Sequence, residues 1–108
     1  MSDRFESSGR VVTESRRETK KKTRPPRMFR VLLHNDDFTT RDFVVEVLRT
    51  VFLKSEAEAV NIMLHVHNEG VGVAGVYTRE IAETKAVTVE NLARRNGFPL
   101  RLSLEPEG

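Results

Sequence analysis

The run His34-Asn35-Asp36-Asp37-Phe38-Thr39-Thr40 sets an amide and two carboxylates side by side in a short polar stretch. Such groups offer lone pairs, and a link built from them can hold a ligand's cation through charge-assisted hydrogen bonds. Further along, Met63 and His67 stand four residues apart, so on a helix they share a face. Acceptors beside an apolar wall are thereby within reach of one another. Each residue also has an ordinary reading. Asn and Asp favour turns because their side chains bond nearby backbone N–H groups, an isolated histidine is common on a helix surface, and methionine fills gaps in cores.

Other chemistry is poorly served. His65 and His67 are two residues apart, and on a helix they point about 200° from each other, so they do not bind one metal ion together; no metal or other cofactor is expected. There is no cysteine, which removes thiolate ligands, cysteine nucleophiles and disulfides and fits a reducing compartment. The serines sit in the N-terminal stretch, at a helix start or near the C-terminus, with no nucleophile elbow around them. Gly70-Val71-Gly72-Val73-Ala74-Gly75 satisfies a GxGxxG string, but a dinucleotide fingerprint needs a strand before it and a helix after it. Here the order is reversed, and the glycines read as a helix cap and a bulged strand. No catalytic residue is assigned, and a small hydrolase using Asp36, Asp37 and His67 would need a cleft that so short a chain does not build.

These residues need a scaffold, and the pattern supplies one. A chain of 108 residues with 38% apolar content fits one small domain. Met28 to Leu33 is apolar and bounded by Pro25-Pro26 and Asn35-Asp36-Asp37, which fits a strand. Phe43, Val44, Val47, Leu48, Val51 and Phe52 recur at helical spacing, predicting a helix over about 40–53, with Thr39 and Asp42 as a capping box. Ser55 with Glu58 repeats that signal for a second helix reaching about Asn68, closed by Gly70. Val71, Val73, Val76 and Tyr77 make an irregular strand ending at a Thr78 N-cap. A third helix turns Ile81, Ala82, Ala86, Val89, Leu92 and Ala93 inward and stops at Gly97, after which Leu100, Leu102 and Leu104 alternate as a last strand. The expectation is an α+β fold of order β-α-α-β-α-β, with a small three-stranded antiparallel sheet packed against three helices.

Charge is unevenly distributed. Residues 1–27 hold nine Lys/Arg against four Asp/Glu, and residues 28–108 hold nine against twelve, although the whole chain is only +2. Residues 1–26 therefore read as a flexible, disordered basic extension too poor in apolar groups to fold, ahead of a core domain at 27–108. The mildly acidic core disfavours nucleic acid, so a nucleic-acid-binding role would rest on the extension alone and would weaken steeply with salt. No signal-peptide-like run and no stretch of about 18 apolar residues is present, so no membrane association and a cytoplasmic location are expected.

Asn35-Asp36-Asp37-Phe38-Thr39, Met63-Leu64-His65-Val66-His67, Gly75-Val76-Tyr77-Thr78 and Glu83-Thr84-Lys85 together resemble the ClpS family of adaptors, which deliver N-degron substrates to the Clp protease. The resemblance covers residues 27–106. It implies a non-enzymatic, monomeric adaptor whose partners are the N-terminal domain of ClpA or ClpC and polypeptides beginning with Leu, Phe, Tyr or Trp. It implies that Asn35, Asp36 and His67 grip the substrate's α-amino group. Thr39, Arg41, Val44, Val47, Met63, Val66 and Leu100 would form the pocket for its first side chain. Glu80 and Lys85 would dock on the unfoldase, and the extension would be the segment the motor engages. The physical terms agree. Charge-assisted hydrogen bonds are worth about 1.5–3 kcal/mol each, burial of a Leu or Phe side chain adds about 1.5–3 kcal/mol, and neither suffices alone. Arg41 departs from the family, many of whose members carry a methionine there. Its stem can line the rim with its head in water, and an altered order of preference among first residues is expected.

Overall fold

A computed structural model describes residues 24–108. The expectation of a disordered extension falls almost wholly outside these residues. The elements are β1 (Met28–His34), α1 (Arg41–Thr50), α2 (Glu56–Glu69), β2 (Val71–Thr78), α3 (Arg79–Arg95) and β3 (Arg101–Pro106). The order is the predicted β-α-α-β-α-β. The strands form one antiparallel sheet in the order β2-β1-β3, with β1 in the centre.

Alternation along β1 decides which side of the sheet is covered. Val31 and Leu33 are fully buried under the helices, and β3 sets Leu104 and Leu102 opposite them. On the other side Arg30 pairs with Glu105 at 2.6 Å and His34 meets Ser103 at 2.6 Å, a polar surface facing solvent. The register of β2 against β1 jumps from Val31–Gly75 to Leu32–Val73, so Ala74 is the extra residue of a bulge. This is the irregular strand predicted from its glycines.

The helix starts differ in detail from the sequence pattern. Ser55 and Glu58 form a reciprocal capping box, as expected. At α1 the N-cap is Thr40, whose hydroxyl accepts from the Phe43 amide at 3.1 Å, and not Thr39. Thr39 lies just before the helix and donates its hydroxyl to Asp36 Oδ2 at 2.7 Å. Thr78 has N-cap backbone geometry but makes no side-chain cap bond. Helix α3 ends on a Schellman turn: Phe98 N–H bonds Ala93 O at 2.8 Å and Gly97 N–H bonds Arg94 O at 3.0 Å, with Gly97 at φ +77°.

Helix α3 lies across the sheet, α1 rests on α2, and α2 rests on β2. Ala82, Val89 and Ala93 are the fully buried face of α3. Ile81, predicted to point inward, is 48% exposed; one residue away from Ala82 is about 100° around a helix, which turns it out of the core. Helix α1 stops at Thr50 rather than 53, and Leu53 adopts φ +56° in the turn that follows.

Gly72 joins the sheet to the pocket described below. A Cβ at this position would lie 2.7 Å from Val66 Cγ2, and Val66 is a nearly buried residue of α2. Gly72→Ala is expected to displace Val66 and to cost about 1–3 kcal/mol of stability, measured as a lowered midpoint in urea unfolding.

Candidate functional site

The link between β1 and α1 is organised by one carboxylate. Asp36 Oδ1 accepts from the amides of Phe38 at 2.8 Å and Thr39 at 2.6 Å, while Oδ2 accepts the Thr39 hydroxyl at 2.7 Å. Partial burial works against ionisation of Asp36, but these bonds outweigh it and hold the carboxyl below the ordinary aspartate value. The Asn35 backbone N–H donates to Gly70 O at 2.9 Å, tying the link to the C-cap of α2. The left-handed backbone at Gly70, φ +92°, turns the chain there from α2 into β2.

On α2, Met63, Val66 and His67 face this link and enclose with it an open cavity of about 360 Å³. Asn35, Asp36, Thr39, Arg41 and Val44 complete the predicted residues that border it. Leu100 borders a small void of about 20 Å³ next to it, which shares Asn35, Asp36, Thr39, Val44 and Val66 with the cavity. The Phe43 and Phe98 rings, 5.0 Å apart, hold the segment bearing Leu100 near α1. Val47 departs from expectation: it is 2% exposed, packs in the core and borders neither space. Val44, one turn earlier, is the α1 residue that reaches both.

Asp37, Phe38 and Thr40, part of the polar run but given no place in the expected pocket, also border the cavity. Phe38 is 75% exposed. A large aromatic inside an acidic turn was the available signal, because such a link has no core in which to bury it. Arg41 also differs from expectation. Its guanidinium does not stand free in water but lies 2.8 Å from His67 Nε2. Guanidinium only donates, so Nε2 is the acceptor and the ring proton resides on Nδ1.

Glu80 and Lys85 lie elsewhere, around a shallow depression that they share with Ile81 and Thr84. Lys85 is not simply a surface charge. Its ammonium donates to Val51 O at 2.7 Å and sits 5.2 Å from the Tyr77 ring centre, bracing α3 against the end of α1. Among the described residues, no three His, Cys, Asp or Glu side chains converge as metal ligands, and no helix is long and apolar enough to cross a membrane.

A half-polar, half-apolar cavity on an α+β scaffold, with a separate charged face on α3, is the outline of a small binding domain. Comparison with known proteins gives that outline a family. The family described as the ATP-dependent Clp protease adaptor protein ClpS matches residues 24–103. The ATP-dependent Clp protease adapter protein ClpS of Desulfatibacillum aliphaticivorans is 59% identical over 105 residues, 97% of each chain. That of Myxococcus xanthus is 58% identical over 107 residues, 99% of this chain and 98% of its own. Among solved structures, Agrobacterium tumefaciens ClpS2 bound to L-phenylalaninamide superposes with a TM-score of 0.74 at 43% identity, covering 77% of this chain and all of its own. The chain belongs to the ClpS family and is a Clp protease adaptor, not an enzyme.

The lowered Asp36 carboxyl makes the site's turn pH-dependent. A depressed pKa contributes stability that is fully present above the unfolded value near 4 and is lost as pH falls through the folded value. Glu58, held down by the Ser55 amide and hydroxyl, acts in the same direction, so the measurement compares two proteins. The stability difference between wild type and Asp36→Asn, taken from urea midpoints, is expected to shrink as pH drops from about 5 towards 2.

Proposed function

We propose that this adaptor captures polypeptides by a free N-terminal residue of the Leu, Phe, Tyr or Trp class and delivers them to a ClpA- or ClpC-type unfoldase in the cytoplasm. The observation that carries the reading is the meeting of Asn35, Asp36 and His67 with Val44, Met63 and Val66 around one cavity. A protonated α-amino group has three N–H donors and seeks acceptors, and a large apolar side chain seeks the other wall.

The ligand of the ClpS2 structure supports the assignment. L-Phenylalaninamide carries a free α-amino group and an aromatic side chain, with an amide where a peptide would continue. Within the site the roles divide. Asp36 already accepts three hydrogen bonds of the roughly four its oxygens can take. It therefore contributes negative charge and the shape of the turn, whereas Asn35 and His67 supply lone pairs directly. The acidic surplus of residues 28–108, twelve Asp/Glu against nine Lys/Arg, also favours an ammonium over a phosphate.

Glu80, with exposed Ile81 and Thr84 beside it, is the surface offered to the unfoldase, and Lys85 contributes there while bracing the fold. Capture and delivery are thus on separate faces and can be tested apart. By fluorescence anisotropy, a Leu-initiated peptide is expected to bind and its Nα-acetylated form to lose about 3 kcal/mol or more, over a hundredfold in affinity. Equal binding of the two peptides overturns the reading. Glu80→Arg is expected to keep peptide affinity while weakening pull-down by the unfoldase N-terminal domain several-fold. Lys85→Ala is expected to lower thermal stability as well, since it frees the Val51 carbonyl.

A further inference from the structure

The hydrogen bond between Arg41 and His67 places a permanent cation at the mouth of a pocket proposed to receive another cation. Arg41 is the first residue of α1, where the helix macrodipole disfavours positive charge, so helix stability does not account for it. Its guanidinium is instead held 2.8 Å from Nε2 of His67.

This contact cannot survive the arrival of an α-ammonium that uses His67. If the ammonium donates to Nε2, it takes the lone pair that the guanidinium occupies. If it donates to Nδ1, the ring proton must move to Nε2, which then no longer accepts from Arg41. In both cases the guanidinium is released at the rim. The substrate's first side chain fills the cavity, so its second residue emerges beside that rim.

We propose that Arg41 is a specificity-determining residue for the second position of the substrate. It occupies His67 in the free adaptor, and once displaced it pairs with an acidic side chain at position two and repels a basic one. The inference rests on the N-terminal-residue reading above and deepens it. Arginine suits the role because its planar fork meets a carboxylate in a bidentate pair and remains charged at every working pH. Asp37 also borders the cavity, and it is the intramolecular competitor that a substrate carboxylate must outbid for the released guanidinium.

The test uses the full chain and three Leu-initiated peptides that differ only in a second residue of Glu, Ala or Lys, with affinities from fluorescence anisotropy. Wild type is expected to prefer Glu over Lys by about three- to fivefold, as an exposed pair allows, and to lose this preference in high salt. In Arg41→Met and Arg41→Gln the Glu-to-Lys ratio should fall to one or below, and the Ala peptide should bind more tightly because its competitor for His67 is gone. The same ratio in wild type and both variants overturns the inference while leaving N-terminal capture standing. Failure of all three peptides to bind any of the proteins overturns both.

Discussion

The carboxylate of Asp36 fixes the link from β1 to α1, and the geometry of the site depends on it. By accepting two amides and a hydroxyl it folds the link into a turn that brings Thr40 to the start of α1, where Thr40 caps the helix. The first turn of α1 is thereby set, and with it the positions of Arg41 and Val44. The neighbouring Asn35 backbone N–H, bonded to Gly70 O, does the same work towards α2. Two backbone-scale anchors thus hold a polar loop at a defined distance from Met63, Val66 and His67. A site built this way is preorganised, and a guest does not have to order the loop on arrival.

The apolar half of the cavity is not a separate construction. Val44 and Val66 belong both to the cavity wall and to the core, and Val66 stands against Gly72 of the bulged strand. Reshaping this cavity therefore means repacking the core, where a methylene is felt. Arg41 stands outside this coupling. It is exposed, and its guanidinium bonds the His67 ring at 2.8 Å rather than packing in the core cluster.

Much of this was legible in the sequence. Period-two and helical spacing located all six elements, and paired Ser55 and Glu58, Gly70 and Gly97 marked their ends, because caps and breakers act over a few residues. The polar run 35–39 and the Met63–His67 face, legible for the same local reason, border the cavity. What failed was anything decided by competition or by a single rotation. Thr39 fits a capping box by spacing, yet the turn around Asp36 puts Thr40 at the helix start. Ile81 looks apolar enough for the core, yet it sits a third of a turn from the buried stripe. Val47 has the right type for the wall, but Val44 has the right angle. The position of the Arg41 head depends on a contact across 26 residues, which no local pattern encodes.

The chain enters the domain through the middle of its sheet. β1 is bonded on both edges from Phe29 to His34, and the Met28 carbonyl additionally receives the Glu107 amide at 2.9 Å. A pull applied upstream of Met28 therefore runs along the central strand and loads two antiparallel ladders in shear. Bonds lying crosswise to the force then have to give way together instead of unzipping one by one. A tether drawn from this end meets the domain along a direction that resists extension.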